Sequence, residues 1–235
     1  MPVVSFSATA PAEPLKSQLL QLVVDHFTDL SATALPPSNP LYNLYQYGLG
    51  FEVHLYLEAL GGTRLPVGLV LACAEDDPQR LLGFLLYLPI AGEDTACTVA
   101  YLAVDGNQRR RGIARAMLEL LRQRHPRIEL ACAKGKVPCF EALGFAVSGA
   151  RGPQVLMASG APGGDAELAV LDVAPIFRTV EIQQIHSYLL KQHGRKAMIE
   201  AERKRDRHLD ELTRHAAAFA AERVGVWQVR GVRVV

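Results

Sequence analysis

The stretch VDGNQRRRGIARA, residues 104–116, decides how the chain is to be understood. It continues the apolar run TVAYLAV of residues 98–104 and passes through a short turn and a glycine. Beyond it, Ile113, Met117, Leu120 and Leu121 recur at helical spacing until Pro126. A strand that turns through glycine into a helix aims several free backbone amides, and the positive end of the helix dipole, at one point. That point suits an anion. Arg109, Arg110, Arg111 and Arg115 crowd the helix start, where each cation costs about 0.3–1 kcal/mol unless something negative lies there. Gly112 permits close approach of a phosphate, and Ala114 keeps the next turn small. A solvated arginine-rich turn is the plainer alternative at this level.

On the N-terminal side, residues 67–74 and 81–88 are apolar runs separated by the turn-rich EDDPQR, which predicts a strand hairpin. Residues 3–8 predict a strand, and Leu15, Leu19, Leu22, Val23 and Phe27 a first amphipathic helix ended by proline. Residues 35–50 mix turn formers with Tyr42, Tyr45 and Tyr47 and predict a loop or a short helix. Residues 51–60 alternate, with Val53, Leu55, Leu57 and Ala59 opposite Glu52, His54, Tyr56 and Glu58, which predicts a half-buried strand. On the C-terminal side a short strand at 128–132, a short helix at 137–143, a break at Gly144 and strand-like segments near 145–147 and 154–157 follow. SGAPGGD, residues 159–165, is the clearest linker.

Past the linker the texture changes. Residues 175–223 predict helix interrupted near Gly194, and VGVWQVRGVRVV predicts a strand or hairpin arm. The division expected is therefore a domain at 1–158, a linker at 159–165 and a helical extension at 166–235. Residues 195–215 carry seven Lys and Arg against five Asp and Glu, the pattern of a solvated helix laced with ion pairs. The stretch from Glu202 to His208 has no apolar anchor and is expected to project into water. The valines of the terminal arm would leave a sticky edge unless paired, in this chain or in a symmetric copy, with the copy slightly favoured. A homodimer through the extension is the corresponding expectation.

Composition narrows the function classes. In 235 residues, 25 Lys and Arg balance 24 Asp and Glu, so no overall basic field draws in nucleic acid. No apolar run reaches the roughly 18 residues of a spanning helix, and the N-terminus lacks a secretory pattern. No membrane partner is expected. Cys73, Cys97, Cys132 and Cys139 form no CxxC pair and fit a reducing cytoplasm as small core residues, with Cys139 the one that could lie near a reacting sulfur. The seven histidines show no metal-ligand spacing, so no metal is expected.

RRRGIA, residues 109–114, resembles the acetyl-CoA signature of the GNAT superfamily of N-acetyltransferases: Arg or Gln, two variable residues, Gly, any residue, then Gly or Ala. CFEALGF, residues 139–145, is similar to that family's second signature, a short helix ending in a Leu-Gly-Phe break. The resemblance covers residues 67–158 well, residues 1–66 by element order, and leaves the extension uncovered. It implies an α/β fold: a GNAT-like splayed mixed β-sheet flanked by helices, here with a helical C-terminal extension. It further implies that the backbone of Leu102, Ala103 and Val104 pairs with the pantetheine arm of acetyl-CoA, and that Arg109, Arg110, Arg111, Gly112, Ile113, Ala114 and Arg115 hold its pyrophosphate. An amide at Leu102 or Ala103 would serve the developing oxyanion.

The chain also departs from the family. Phe140 stands where many members carry a tyrosine acid, Ala133 where an asparagine is frequent, and no glutamate lies between Thr98 and Val104. Phe140 is still expected beside the cofactor. Candidates for the base that deprotonates an amine acceptor are Glu52, His54 and Glu58, or Glu93 and Asp94, with exposed polar residues the bland alternative for each. The three tyrosines would flank the acceptor side. The function implied is transfer of acetyl from acetyl-CoA to a primary amine of a small molecule or protein. The rival is a non-catalytic acyl-CoA-binding or protein-interaction module that kept the cradle and lost its acid.

Overall fold

The computed structural model describes residues 2–161 and 166–235. Residues 162–165 of the expected linker lie outside the described residues. Seven strands form one mixed sheet in the order β1-β2-β3-β4-β5-β7-β6: β1 Pro2–Ser7, β2 Gly68–Ala74, β3 Leu81–Pro89, β4 Ala96–Val104, β5 Arg127–Cys132, β6 Ala146–Arg151 and β7 Gln154–Ala158. Neighbours run antiparallel except β4 and β5, which are parallel. The run LLGFLLYL of β3 is buried throughout, as a central strand covered on both faces must be.

Helices cover the two faces. On one lie α1 Leu15–Asp25, α2 Phe27–Leu30 and α3 Tyr42–Glu58, packed through Leu19, Val23, Phe27, Val53 and Leu57 onto Leu69, Phe84 and Leu86. On the other lies α4 Ile113–Arg124, whose Ile113, Met117, Leu118 and Leu121 form one apolar face against Val70, Leu85 and Val99, with α5 Val137–Glu141 beside it. The first helix ends at His26 rather than at a proline: the chain bends there and restarts as α2.

Two expectations are corrected. Residues 51–60 are not a strand but the second half of α3. The buried positions Leu49, Val53, Tyr56 and Leu57 are spaced by four, three and one, a helical stripe that the alternation of Val53, Leu55, Leu57 and Ala59 imitates over a few residues. The terminal arm pairs within its own chain rather than across to a copy. Strand β9, Val232–Val234, lies parallel to β8, Leu168–Val170.

Two side chains fasten the arm. The Trp227 indole lies against Gly149, where a Cβ would stand 2.3 Å from the ring, and its N–H donates to the Ala150 carbonyl at 3.1 Å. Arg230 is 5% exposed and forms ion pairs with Glu93 and Glu129, both at 2.9 Å. The extension's long helix, α6 Val180–Val224, breaks at Gly194 as the sequence predicts. Its Ile182, Leu189, Met198 and Ala201 join the core on the α3 face, and Ala216 and Ala220 the core on the α4 face. The stretch 202–208 does not simply project into water, because Arg205 reaches the Tyr45 hydroxyl of α3 at 2.5 Å.

Candidate active site

Strands β4 and β5 stay in register from Ala96 opposite Arg127 to Val99 opposite Leu130, and then part. On the other side of β4 the register with β3 shifts across Ala100, between Val99 opposite Tyr87 and Tyr101 opposite Leu86, so the strand bends where the gap opens. The Asp105 amide donates to the Leu82 carbonyl. Because antiparallel ladders alternate, the amides of Ala103 and Tyr101 then also point at β3, and those of Leu102 and Val104 face the gap. Of the two amides expected to serve an oxyanion, that of Leu102 faces the gap and that of Ala103 faces β3.

Past the end of β4 the chain enters a 3₁₀ turn, Gly106–Gln108, capped by the Asp105 carboxylate accepting from the Asn107 amide. Arg110 (φ +64°) and Gly112 (φ +78°) both adopt left-handed backbone. Gly112 is the N-cap of α4, no side chain caps that end, and a Cβ there would meet nothing within 4 Å. The amides of Ile113, Ala114 and Arg115 are thus the orphan donors of an uncapped helix beside open space.

The arginines divide their work. Arg109 turns back to donate to Asp29 at 3.1 Å and to contact His26 at 3.0 Å, fastening the turn to α1 and α2. Asp29 also pairs with Lys136 at 2.7 Å. Burial pushes the Asp29 carboxyl up, but the hydrogen bonds and charges of Lys136 and Arg109 outweigh it and hold the group below the usual aspartate range. Burial, then the Arg109 charge, depress the His26 imidazole. Arg115 donates to the Ala142 carbonyl at 3.0 Å and ties the first turn of α4 to the end of α5. Arg110 and Arg111 are exposed at the helix mouth.

On the α3 face, the gap adjoins a cleft of about 370 Å³. Its lining includes Ala100 and Tyr101 of β4, Tyr45, Leu49 and Glu52 of α3, and Ile176 and Phe177 of the extension. The Tyr101 hydroxyl donates to Glu52 Oε1 at 2.8 Å. Burial raises the Glu52 carboxyl above the ordinary glutamate range, with the Tyr101 hydrogen bond partly offsetting it. Burial, reinforced by the Glu52 charge, raises the Tyr101 phenol well above its usual value, so it stays a donor.

The other sequence candidates lie elsewhere. His54 does not line the cleft and lies tilted against Phe51, with ring centroids 5.8 Å apart. Glu58 pairs with Lys16 at 2.7 Å. Glu93, before β4, is bound to Arg127 and Arg230. Tyr45 lines the cleft, whereas Tyr42 packs on Phe27 and Tyr47 on Phe51. Phe140, half-buried on α5, meets Phe145 edge-on at 6.0 Å. Cys139 is exposed rather than a core residue. Phe177 and Tyr101 were not singled out from the sequence; the one local signal is Gly48 within α3, where a Cβ would press on the Phe177 ring at 3.3 Å. Among the described residues no cluster of three or more His, Cys, Asp or Glu could hold a metal ion, and no helix is long and apolar enough to cross a membrane.

A mixed seven-stranded sheet flanked by helices, with a bent β4 parting from a parallel β5 and leading into an uncapped helix, is a GNAT-like fold. Residues 52–145 match the sequence model described as the Acetyltransferase (GNAT) family. The fold is similar to the PaiA N-acetyltransferase from Thermoplasma acidophilum in complex with coenzyme A, at 10% identity and TM-score 0.50, over 68% of this chain and 99% of that one. Aminoglycoside 6'-acetyltransferase type Ii aligns at 18% identity and TM-score 0.49 over 69% and 99% of the two chains. An acyl-CoA N-acyltransferase from Pseudomonas aeruginosa aligns at 12% and 0.47 over 68% and 100%. No curated protein matches the sequence.

Proposed function

We propose that the protein transfers the acetyl group of acetyl-CoA to a primary amine. The observation that carries this is the parting of β4 from β5 after Val99, one end of the gap facing the amides of α4 and its α3 side opening on Glu52. The residues present fit the co-substrate. Left-handed Gly112 leaves open space where diphosphate oxygens would meet the amides of Ile113, Ala114 and Arg115, with Arg110 and Arg111 supplying positive charge. Leu102 and Val104 offer unpaired backbone groups to an amide-bearing arm, as a sheet edge offers them to an added strand.

In the transfer, Glu52 accepts the proton that the ammonium must lose before its nitrogen can attack. Its raised pKa suits that task, since the base binds a proton near neutrality more readily than an ordinary glutamate does. The Leu102 amide donates to the carbonyl oxygen as negative charge develops there. The C–N bond forms, the C–S bond breaks, and the second proton leaving the nitrogen passes through water to the thiolate, because Phe140 has none to give.

Calorimetry with acetyl-CoA, followed by thiol release against a panel of amines, tests the proposal. Micromolar binding and amine-dependent thiol release are expected. A folded protein that binds no acetyl-CoA would overturn it. The absence of a hydroxyl at Phe140 favours one second reading, a module that binds acyl-CoA without turnover, and the same panel separates the two.

A further inference from the structure

We propose that the C-terminal extension completes the acceptor pocket, and that Phe177 selects a singly charged amine carried on a flat apolar body, an arylalkylamine. This rests on the acetyl-transfer reading of the same cleft and names the acceptor class within it.

The cleft is built from two parts of the chain. Leu30, Tyr45, Leu49, Glu52 and Tyr101 come from the sheet domain, and Val173, Ile176 and Phe177 from the segment that leads into α6. That segment is fastened where it passes α3: the Leu171 amide donates to the Tyr56 hydroxyl at 3.2 Å. Phe177 then lies against Gly48, where any larger residue would crowd its ring, and tilts on Tyr45 with centroids 5.6 Å apart. Arg205 of α6 holds the Tyr45 hydroxyl from the far side. Two extension residues thus fix a two-ring wall, and Phe177 stays 40% exposed, so the face of its ring is open to an occupant of the cleft.

Charge and size narrow the occupant. Glu52 is the single acidic residue in the lining, and no Lys, Arg or His is among the lining residues. One carboxylate can balance one ammonium, whereas a polyamine or an amino sugar with several ammonium groups would bury charges without partners. The remaining lining is largely aliphatic and aromatic, and the volume is that of a small-ligand site rather than a peptide groove. A flat hydrocarbon body against Tyr45 and Phe177, with its ammonium at Glu52, satisfies both demands.

The probes are 2-phenylethylamine, spermidine and an N-acetylated lysine peptide with a free side-chain amine, each titrated into the full chain saturated with CoA and each assayed with acetyl-CoA. The full chain should bind and acetylate 2-phenylethylamine at least tenfold more efficiently than either other amine. Phe177→Ala should raise the KM for 2-phenylethylamine at least fivefold with kcat changed less than twofold and CoA affinity unchanged. Gly48→Val, which displaces the ring without removing it, should do the same. Preference for spermidine or the peptide would overturn the acceptor class while acetyl transfer stands, and so would an unchanged KM in both variants. Failure to bind CoA would instead overturn the underlying function.

Discussion

Gly112 allows the cofactor cradle to be tested with fold and charge separated. Two variants are needed. Gly112→Ala adds a methyl group that meets nothing within 4 Å but forces an L-residue into φ +78°, which costs about 1–2 kcal/mol of stability. It blocks no amide, so acetyl-CoA affinity should stay within about threefold. Gly112→Glu bears the same backbone cost and adds a carboxylate at the mouth of α4, directly after the exposed Arg110 and Arg111. In the free protein that carboxylate complements the helix dipole and recovers about 0.3–1 kcal/mol. The Glu variant should therefore melt no lower than the Ala variant. Against a diphosphate about 5 Å away, the same charge is repulsive by about 0.8 kcal/mol at the dielectric of water and about 3 kcal/mol at an effective dielectric of 20. Acetyl-CoA affinity should fall by roughly four- to more than a hundredfold. Calorimetric titration of the three proteins, with melting curves on the same samples, gives both numbers. Equal affinity in the Glu and Ala variants would refute the placement of the diphosphate at this helix.

Three further outcomes are expected. The kcat/KM profile should rise with pH along a limb above the ordinary glutamate range, because the base acts when deprotonated and burial raises Glu52; Glu52→Gln should abolish the limb and lower the rate about 10²–10⁴-fold, and Tyr101→Phe, which removes the hydrogen bond that lowers this pKa, should move the limb to higher pH. Arg230→Ala leaves Glu93 and Glu129 facing each other without their shared cation, so unfolding stability should drop by about 3 kcal/mol and the melting temperature by roughly 6–12 °C; a loss under about 1 kcal/mol would show the cluster to be solvated. Phe140→Tyr should leave the steady-state rate within a few fold, whereas turnover found only in the tyrosine variant would support the binding-module reading.

The parts of the fold that announce themselves in sequence are those held together locally. The hairpin of β2 and β3 is two apolar runs about a turn, and the passage from β4 to α4 is a change of period across a glycine. Gly144 and Gly194 were legible as breaks because both sit at positive φ, 86° and 80°. The fastening of the extension left no such trace. Arg230 finds Glu93 and Glu129 across 137 and 101 residues, and Trp227 finds Gly149 across 78. A valine-rich tail without those partners looks like an unpaired edge. With them, it is the last strand of its own domain.

The phase of α3 shows how a local misreading reaches the chemistry. As a strand, residues 51–60 would place Glu52, His54, Tyr56 and Glu58 on one face, and any of them could share a site. A helix advances about 100° per residue, so Glu52 and Tyr56 are neighbours on one side while His54 lies roughly 200° away from Glu52. The structure bears this out in contacts: Tyr56 meets Tyr101 at 6.4 Å and Glu52 bonds its hydroxyl, but His54 turns to Phe51 and Glu58 to Lys16. Glycines at 48 and 50 hid the helix, since each weakens helical propensity by about 1 kcal/mol relative to alanine. Gly48 nevertheless has a packing role, because a Cβ there would stand 3.3 Å from the Phe177 ring and press on it. The residue that obscured the helix is the one that admits the extension to the acceptor cleft, so the fold of α3 and the selectivity proposed for the cleft depend on the same missing side chain.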